Sequence, residues 1–308
     1  MKTIIRLATF CIALAALRSF AADVELSPAS QNPTINEPGS TLSYEFDVEG
    51  TYIGEGDLER GSLSLSNFDE SIAKMQFILT PRIKFGILRL GVQSERHWFS
   101  YGSNAAMPNN LQSTNLVIGL DTQLSDSILI RIETQPGFYG TDWDSWGQDT
   151  FNVPALIGGT YIFNSGFQVF FGVGIDAFRQ YPVLPGGGVR WKFAPQWTLN
   201  AVAPTPRLEY EMNSSFMMYL GGDFRSTSYR VGEQFGTDRG NTALNHAAIT
   251  DNEIRAGGGL EWKITPEIKL TAEAGFIPWR NLDFHRVDIR YHQDGSVPYG
   301  MLAFHAAF

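Results

Sequence analysis

The chain ends Val297-Pro298-Tyr299-Gly300-Met301-Leu302-Ala303-Phe304-His305-Ala306-Ala307-Phe308. Counting back in twos from the terminus gives Phe308, Ala306, Phe304, Leu302 and Gly300, all apolar. Period two describes a strand with one greasy face. Chain ends usually fray into water, so a soluble protein seldom finishes on such a strand. Bacterial outer-membrane barrels do finish this way, with an aromatic on the lipid face of the last strand. Leu302, Phe304 and Phe308 are therefore the candidate signal that barrel-assembly machinery reads. The competing reading is the last strand of a soluble sandwich.

The other end of the chain bears on that choice. Met1-Lys2-Thr3-Ile4-Ile5-Arg6 is basic, Leu7 to Leu17 is apolar, and Ser19-Phe20-Ala21 supplies small residues for cleavage. A basic start, a short apolar middle and a small-residue exit make a secretory leader, expected over residues 1–21. The apolar run is too short to span a bilayer. Its removal takes Lys2, Arg6 and Arg18, leaving 20 of the 23 basic residues against 32 acidic ones, a net charge of about −12. That charge argues against a nucleic-acid partner. The single cysteine, Cys11, lies within the leader, so a processed chain holds no thiol, disulfide or thiolate metal site. Residues 22–39 are polar and rich in Ser, Pro, Asn and Gln, and are expected to form a disordered periplasmic tail.

From Ser40 to Phe308 one device recurs: an arriving strand, a tight polar turn, and a departing strand, with apolar residues close on both sides. The clearest copies are Leu79-Thr80-Pro81-Arg82-Ile83-Lys84-Phe85, Phe193-Ala194-Pro195-Gln196-Trp197-Thr198-Leu199 and Ile264-Thr265-Pro266-Glu267-Ile268-Lys269-Leu270. Looser copies are Leu124–Ile128, Phe163–Phe167 and Met212–Phe216. Pro and small polar residues preset short turns. Longer polar connections alternate with them: Gly54–Arg60, Ser100–Asn110, Tyr139–Thr150, Gln180–Pro185, Pro204–Pro206, Arg230–Thr250 and Asn281–Gly295. Six short turns and seven long loops give about 14 strands, with 12 as the alternative. Short periplasmic turns, longer outer loops and an even strand number describe a transmembrane antiparallel up-and-down β-barrel, an all-β fold. Helical candidates are scarce; Ala243–Ile249 is expected to make one or two turns inside a loop.

The strand faces fit lipid on one side. Phe167, Val169, Phe171, Val173 and Ile175 alternate with Gln168, Gly172, Gly174 and Asp176; Val189, Trp191 and Phe193 alternate with Arg190 and Lys192. Runs of about 9–11 residues with one uncharged face have the length of a tilted spanning strand. Gly86–Gln93 alternates poorly, which points to a bulge. Aromatics gather beside the short turns (Tyr161, Phe163, Phe167, Trp191, Phe193, Trp197, Trp262) and at the loop ends (Trp98, Phe99, Tyr101, Phe138, Tyr139, Phe276, Trp279), as two interfacial girdles would.

Three stretches add a resemblance. Gln135-Pro136-Gly137-Phe138-Tyr139-Gly140-Thr141-Asp142, then Tyr181-Pro182-Val183-Leu184-Pro185-Gly186-Gly187-Gly188-Val189-Arg190-Trp191, and Pro204-Thr205-Pro206-Arg207-Leu208-Glu209-Tyr210 resemble a family of bacterial outer-membrane barrels known only as domain of unknown function 6268. The resemblance implies a barrel and its location in the outer membrane of a Gram-negative cell. It carries no activity.

The inward positions of the spanning strands hold the functional clue. Arg131, Glu133, Arg190, Lys192, Arg207, Glu209, Arg255, Lys269 and Glu273 alternate away from the apolar face and mix both signs of charge, as in a pore wall. Inward glycines (Gly158, Gly172, Gly174, Gly188, Gly221, Gly257, Gly259) reduce bulk there. The same charges can also pair and fill a narrow barrel. The expected function is passive diffusion of small polar solutes; the alternative is a closed barrel acting through its loops. A weak third reading, a lipid hydrolase, needs a serine activated by a histidine. His97 beside Ser94 and Ser100 is the nearest local pairing, without a hydrolase motif. No histidine has metal-ligand spacing, and Asp142, Asp144 and Asp149 fail the calcium-loop pattern because Trp146 occupies a ligand position. No cofactor or metal is expected. The partners expected are outer-membrane lipid, lipopolysaccharide and the assembly machinery.

Overall fold

In the computed structural model residues 42–102 and 106–308 are described, so the leader and the tail before Ser40 lie outside the described residues. Fourteen antiparallel strands close into one barrel. They are β1 (Leu42–Arg60), β2 (Leu63–Ile83), β3 (Gly86–Ser100), β4 (Asn110–Ser125), β5 (Ile128–Thr134, resuming over Gly137–Gly140) and β6 (Phe151–Asn152, resuming over Ala155–Asn164). Next come β7 (Phe167–Ile175), β8 (Val183–Ala194), β9 (Trp197–Val202), β10 (Arg207–Glu211) and β11 (Phe216–Arg230). The last are β12 (Ala248–Lys263), β13 (Ile268–Phe284) and β14 (Ile289–Asp294, resuming over Val297–Ala307). β5 and β6 break at Pro136 and Pro154, which lack the N–H a ladder needs.

Each strand pairs with its neighbour in sequence, and β1 pairs with β14 to close the cylinder. That seam runs in register from Glu45↔Ala307 to Ile53↔Tyr299. It is finished by reciprocal backbone bonds between Tyr44 and Phe308 at 2.8 and 2.9 Å. Closure pairs the polar edge groups, which is why a sheet can stand in hydrocarbon at all. All six short turns fall within the stretches expected to hold them, although in the first Thr80 and Pro81 stay in β2 and the turn is made by Lys84 and Phe85.

The outward face is apolar. Leu220 and Leu302 are each 69% exposed, and Phe77, Leu116, Phe171 and Trp191 are exposed on the same surface. Beside the short turns the aromatics touch in a belt: Tyr161–Phe163 at 4.6 Å, Trp191–Phe193 at 5.5 Å, Trp197–Tyr210 at 4.7 Å and Phe216–Trp262 at 5.9 Å between ring centroids.

Five sequence expectations change. Gly54–Arg60 is not a loop: β1 runs through to Arg60 and meets β2 at a tight turn, with Gly61 at φ +60°. Asn281–Gly295 likewise lies largely in β13 and β14, which meet across residues 285–288. The strands stay paired beyond the lipid because their inner faces there are apolar and share one core. The expected bulge at Gly86–Gln93 is absent: β3 pairs with β4 without a register shift from Ile87↔Asp121 to Trp98↔Asn110, and Ile87 simply faces the lumen. The helical turns of Ala243–Ile249 shrink to a single 3-10 turn, Thr242–Leu244, with Ala248 already in β12. Phe99, Tyr101 and Tyr139 leave the loop-end girdle and turn inward, Phe99 as part of the core and the two tyrosines packed against it.

Candidate functional site: the barrel interior

Three layers stack along the lumen. The one nearest the short turns is a cavity of about 650 Å3. Its lining reaches the short-turn rim at Ser43, Arg82 and Ala307. Charged side chains cross-link its wall: Arg89 forks onto Glu45 with two bonds of 3.1 Å, Arg131 forks onto Asp121 at 2.6 and 2.7 Å, and Arg225 reaches Glu49 at 3.1 Å. Arg207 bonds Glu209 at 2.8 Å and Glu261 at 3.1 Å. Tyr219 and Tyr299 both donate to Glu273, each at 2.5 Å. His305 faces inward, as its position in the alternation requires, with Nδ1 2.6 Å from Asp47.

Of the nine residues expected to line a pore, Arg131, Glu133, Arg207, Lys269 and Glu273 border this cavity. Arg255 lies one layer up, 1% exposed and paired with Glu253. Glu209 is buried behind Arg190 and Arg207, while Lys192 pairs with Glu211 at 3.0 Å near the short turns. Leu302 and Phe308 point outward and exposed on the last strand.

The middle layer is a buried ionic bridge. His97 on β3 places Nδ1 2.6 Å from Glu70 and Nε2 2.8 Å from Glu95. The same Nε2 lies 3.1 Å from the Tyr229 hydroxyl on β11. β3 and β11 are far apart around the ring, so this contact spans the lumen. Arg280 on β13 sits between Glu70, Asp251 and Glu253, with its guanidinium over the rings of Phe68 and Phe99. Glu70, His97 and Asp251 bring potential metal-ligating atoms within 4.8 Å of one another, the one such grouping among the described residues. Arg280 already supplies the cation there, and both His97 nitrogens face carboxylates. The cluster is therefore a self-compensated ion network. Ser94 of the hydrolase reading is engaged elsewhere: its hydroxyl bonds the Ser113 carbonyl at 3.2 Å and meets Thr114.

The outermost layer is apolar. Leu58, Leu65, Phe68, Phe99, Leu111, Tyr229, Ile249, Leu282, Phe284 and Tyr291 project inward from the strand ends, and Val231, Phe235, Leu244 and Ala247 fold down onto them from the connection between β11 and β12. Removing such side chains from water is favourable by about 1.5–3 kcal/mol each, so this cap holds itself in place. Sequence reading missed it. The available signal was a change of phase: Gly54-Glu55-Gly56 and Pro278 sit in shifted registers of β1 and β13, and beyond each shift the apolar residues move to the inner face. Of the loop acids, Asp149 pairs with His246 at 2.7 Å.

With this geometry in place the comparisons can be read. The chain matches the family described as Domain of unknown function (DUF6268) over residues 100–293. It belongs to that family. No curated protein sequence matches it. Among solved structures, the COG4313 outer membrane channel from Pseudomonas putida F1 superposes with a TM-score of 0.51 at 7% identity, covering 90% of this chain and 99% of that one. The Ralstonia pickettii toluene transporter TbuX gives a TM-score of 0.46 at 9% identity, covering 88% and 90%. At 7% identity the likeness to the first of these is one of fold alone: this member of the family has the barrel of an outer-membrane channel.

Proposed function

We propose that this barrel is a gated channel of the outer membrane, exported by its leader and inserted through its last strand, and that its cavity admits small polar solutes from the short-turn side. One observation carries the reading. A cavity of about 650 Å3 walled by paired charges of both signs ends against a bridge and an apolar cap, the cap being contributed in part by a loop. Opposed charges hold water and tolerate small polar solutes without strong preference for one ionic sign. A lid made partly of one connecting segment can leave as a unit, whereas strand residues cannot.

The test is single-channel recording in a planar bilayer. The intact chain is expected to be silent or to open rarely. A variant lacking residues 233–245 and carrying Tyr229→Ala is expected to give steady current steps, because Phe235 and Leu244 of the lid and the cross-lumen contact are gone and the remaining cap is left without its cover. Silence from that variant, with heat-modifiable gel mobility showing a closed barrel, would refute the channel. It would leave the second reading, a structural envelope barrel, which the cross-lumen His97–Tyr229 contact favours.

A further inference from the structure

The barrel wall is incomplete at one place. β9 and β10 are 6 and 5 residues long, between β8 with 12 and β11 with 15. The β8–β9 ladder stops at Gly188↔Val202 and the β10–β11 ladder stops at Arg207↔Gly221. Beyond those points the Ala203 N–H still reaches the Gly187 carbonyl at 3.3 Å; above it Val183–Gly186 pair only with β7, and Arg225–Arg230 pair only with β12. The connection turns back early because Pro204 and Pro206 have no N–H to extend a ladder. Their carbonyls accept from Phe224 at 3.0 Å and Gly222 at 2.9 Å, which forms the floor of a gap between β8 and β11.

The gap has a built frame. Its roof is the 176–182 hairpin. Asp176 accepts from Asn152 at 2.7 Å, from the Phe178 N–H at 2.9 Å and from Arg179 at 3.1 Å. Arg179 then donates across the gap to the Ser226 carbonyl, and Arg230 lies over the Phe178 ring at 4.6 Å. The roof is thus held to the far wall by side chains and not by a ladder. On the inner side the wall is bare: Gly172 on β7 faces Gly186 on β8, and a Cβ built on Gly186 meets no atom within 4 Å. Gly186 is exposed although it faces inward. On the outer side stand Val183 at 59% and Leu220 at 69% exposure. The floor lies about eight residues above the short turns, near the outer end of a 9–11-residue spanning segment. Thr205, Gly221 and Gly222 at the floor also border the polar cavity.

We infer that this gap is a side port joining the cavity to the outer leaflet, and that its ligand is a single-chain amphiphile with a small polar head. One mouth opens on hydrocarbon and the other on paired charges, so only a molecule apolar along its length and polar at one end is matched to both. The bare glycine trough admits a chain but not a bulky body. The port lies outside the β11–β12 cap, and the inference stands or falls independently of whether that cap opens.

The test is photolabelling of the full chain, folded in phospholipid vesicles, with a dodecanoate carrying a diazirine near its chain end. Adducts mapped by mass spectrometry are expected on the inner wall and floor, in the peptides holding Gly172–Gly174 and Thr205–Arg207. Gly186→Phe should fill the trough and lower those adducts at least tenfold while Val183 and Leu220 stay labelled. Arg179→Ala, which unties the roof, should raise them severalfold. If Gly186→Phe does not fold, Thr205→Phe blocks the floor instead with the same expectation. Labelling confined to outward residues, or inner labelling indifferent to the folded blocking variant, would overturn the port.

Discussion

Replacing Arg280 by Met tests whether the middle layer is a bridge or an accident of packing. Arg280 is 1% exposed and meets Asp251 through Nε at 3.1 Å and Glu253 at 3.8 Å, with Glu70 against its other nitrogen. Phe68 and Phe99 lie 5.3 and 5.8 Å from its guanidinium carbon. Methionine fills much of the same volume but leaves buried carboxylates without their counter-charge. Breaking a buried pair in this way costs about 3–5 kcal/mol, and the ring contacts add about 0.5–2 kcal/mol. The expected loss is therefore about 3.5–7 kcal/mol in reversible urea unfolding from lipid vesicles, followed by tryptophan fluorescence. The combination Arg280→Met with Glu70→Gln and Asp251→Asn should recover at least half of it, because a neutral cluster needs no cation. A single variant that loses less than about 1 kcal/mol, or a combination no better than the single, would show that these charges are hydrated and that the lumen is open at this height.

Leu220→Arg, on the lipid face, should cost about 2–4 kcal/mol, whereas Thr271→Arg, on the cavity wall, should be nearly neutral; equal costs in the same unfolding assay would mean the faces are assigned the wrong way round. Gly259→Val places a Cβ 2.3 Å from the Tyr219 ring, so the ring must leave and its bond to Glu273 is lost. Overpacking of this kind costs about 1–3 kcal/mol; an unchanged unfolding midpoint would refute the contact. His285, in the turn after β13, is held below its usual pKa by burial and by the neighbouring Arg286. A depressed histidine favours folding above its unfolded pKa and loses that contribution as pH falls through and below about 6.5. His285→Gln should flatten that part of the stability–pH curve, and an identical curve would remove the group from consideration.

How far the sequence revealed this architecture depends on which medium each residue faces. Inside the hydrocarbon band one side must be apolar, so Phe167 to Ile175 and Val189 to Phe193 declare strand, face and length together. The turns declare themselves because proline and small polar residues gather beside them: Pro195 and Pro266 stand in the turns themselves, and Pro81 sits three residues before one, still within β2. Above the band the exterior is water, and an outward Glu55, Asp57 or Arg290 looks like loop chemistry although it stands on a paired strand. The cavity was half legible for a related reason. Alternation separates Arg131 and Glu273 from the lipid, but the height of a residue and the residue opposite it are set by barrel closure. That is why Arg255 moved to the bridge and Lys192 to the short-turn end.

The two halves of the ring do different work, and the division follows from strand length. β1 to β4 and β11 to β14 run from 15 to 21 residues, allowing for the break in β14, and their extra length carries the apolar cap. β9 and β10 stop after 6 and 5 residues, and the shortfall leaves the upper edge of β11 without a strand partner on one side. That edge leans across the lumen towards β4 and β5. The inward lean brings Tyr229 to His97 and, in the same displacement, leaves the space beside β8 that only the Arg179 hairpin covers. Sealing the axial path and opening the lateral one are thus two consequences of the same pair of short strands. Extending β9 and β10 by replacing Pro204 and Pro206 with residues that can donate to a ladder should act on both at once: the side port should narrow, and the His97–Tyr229 contact should lengthen as β11 is drawn back into the wall.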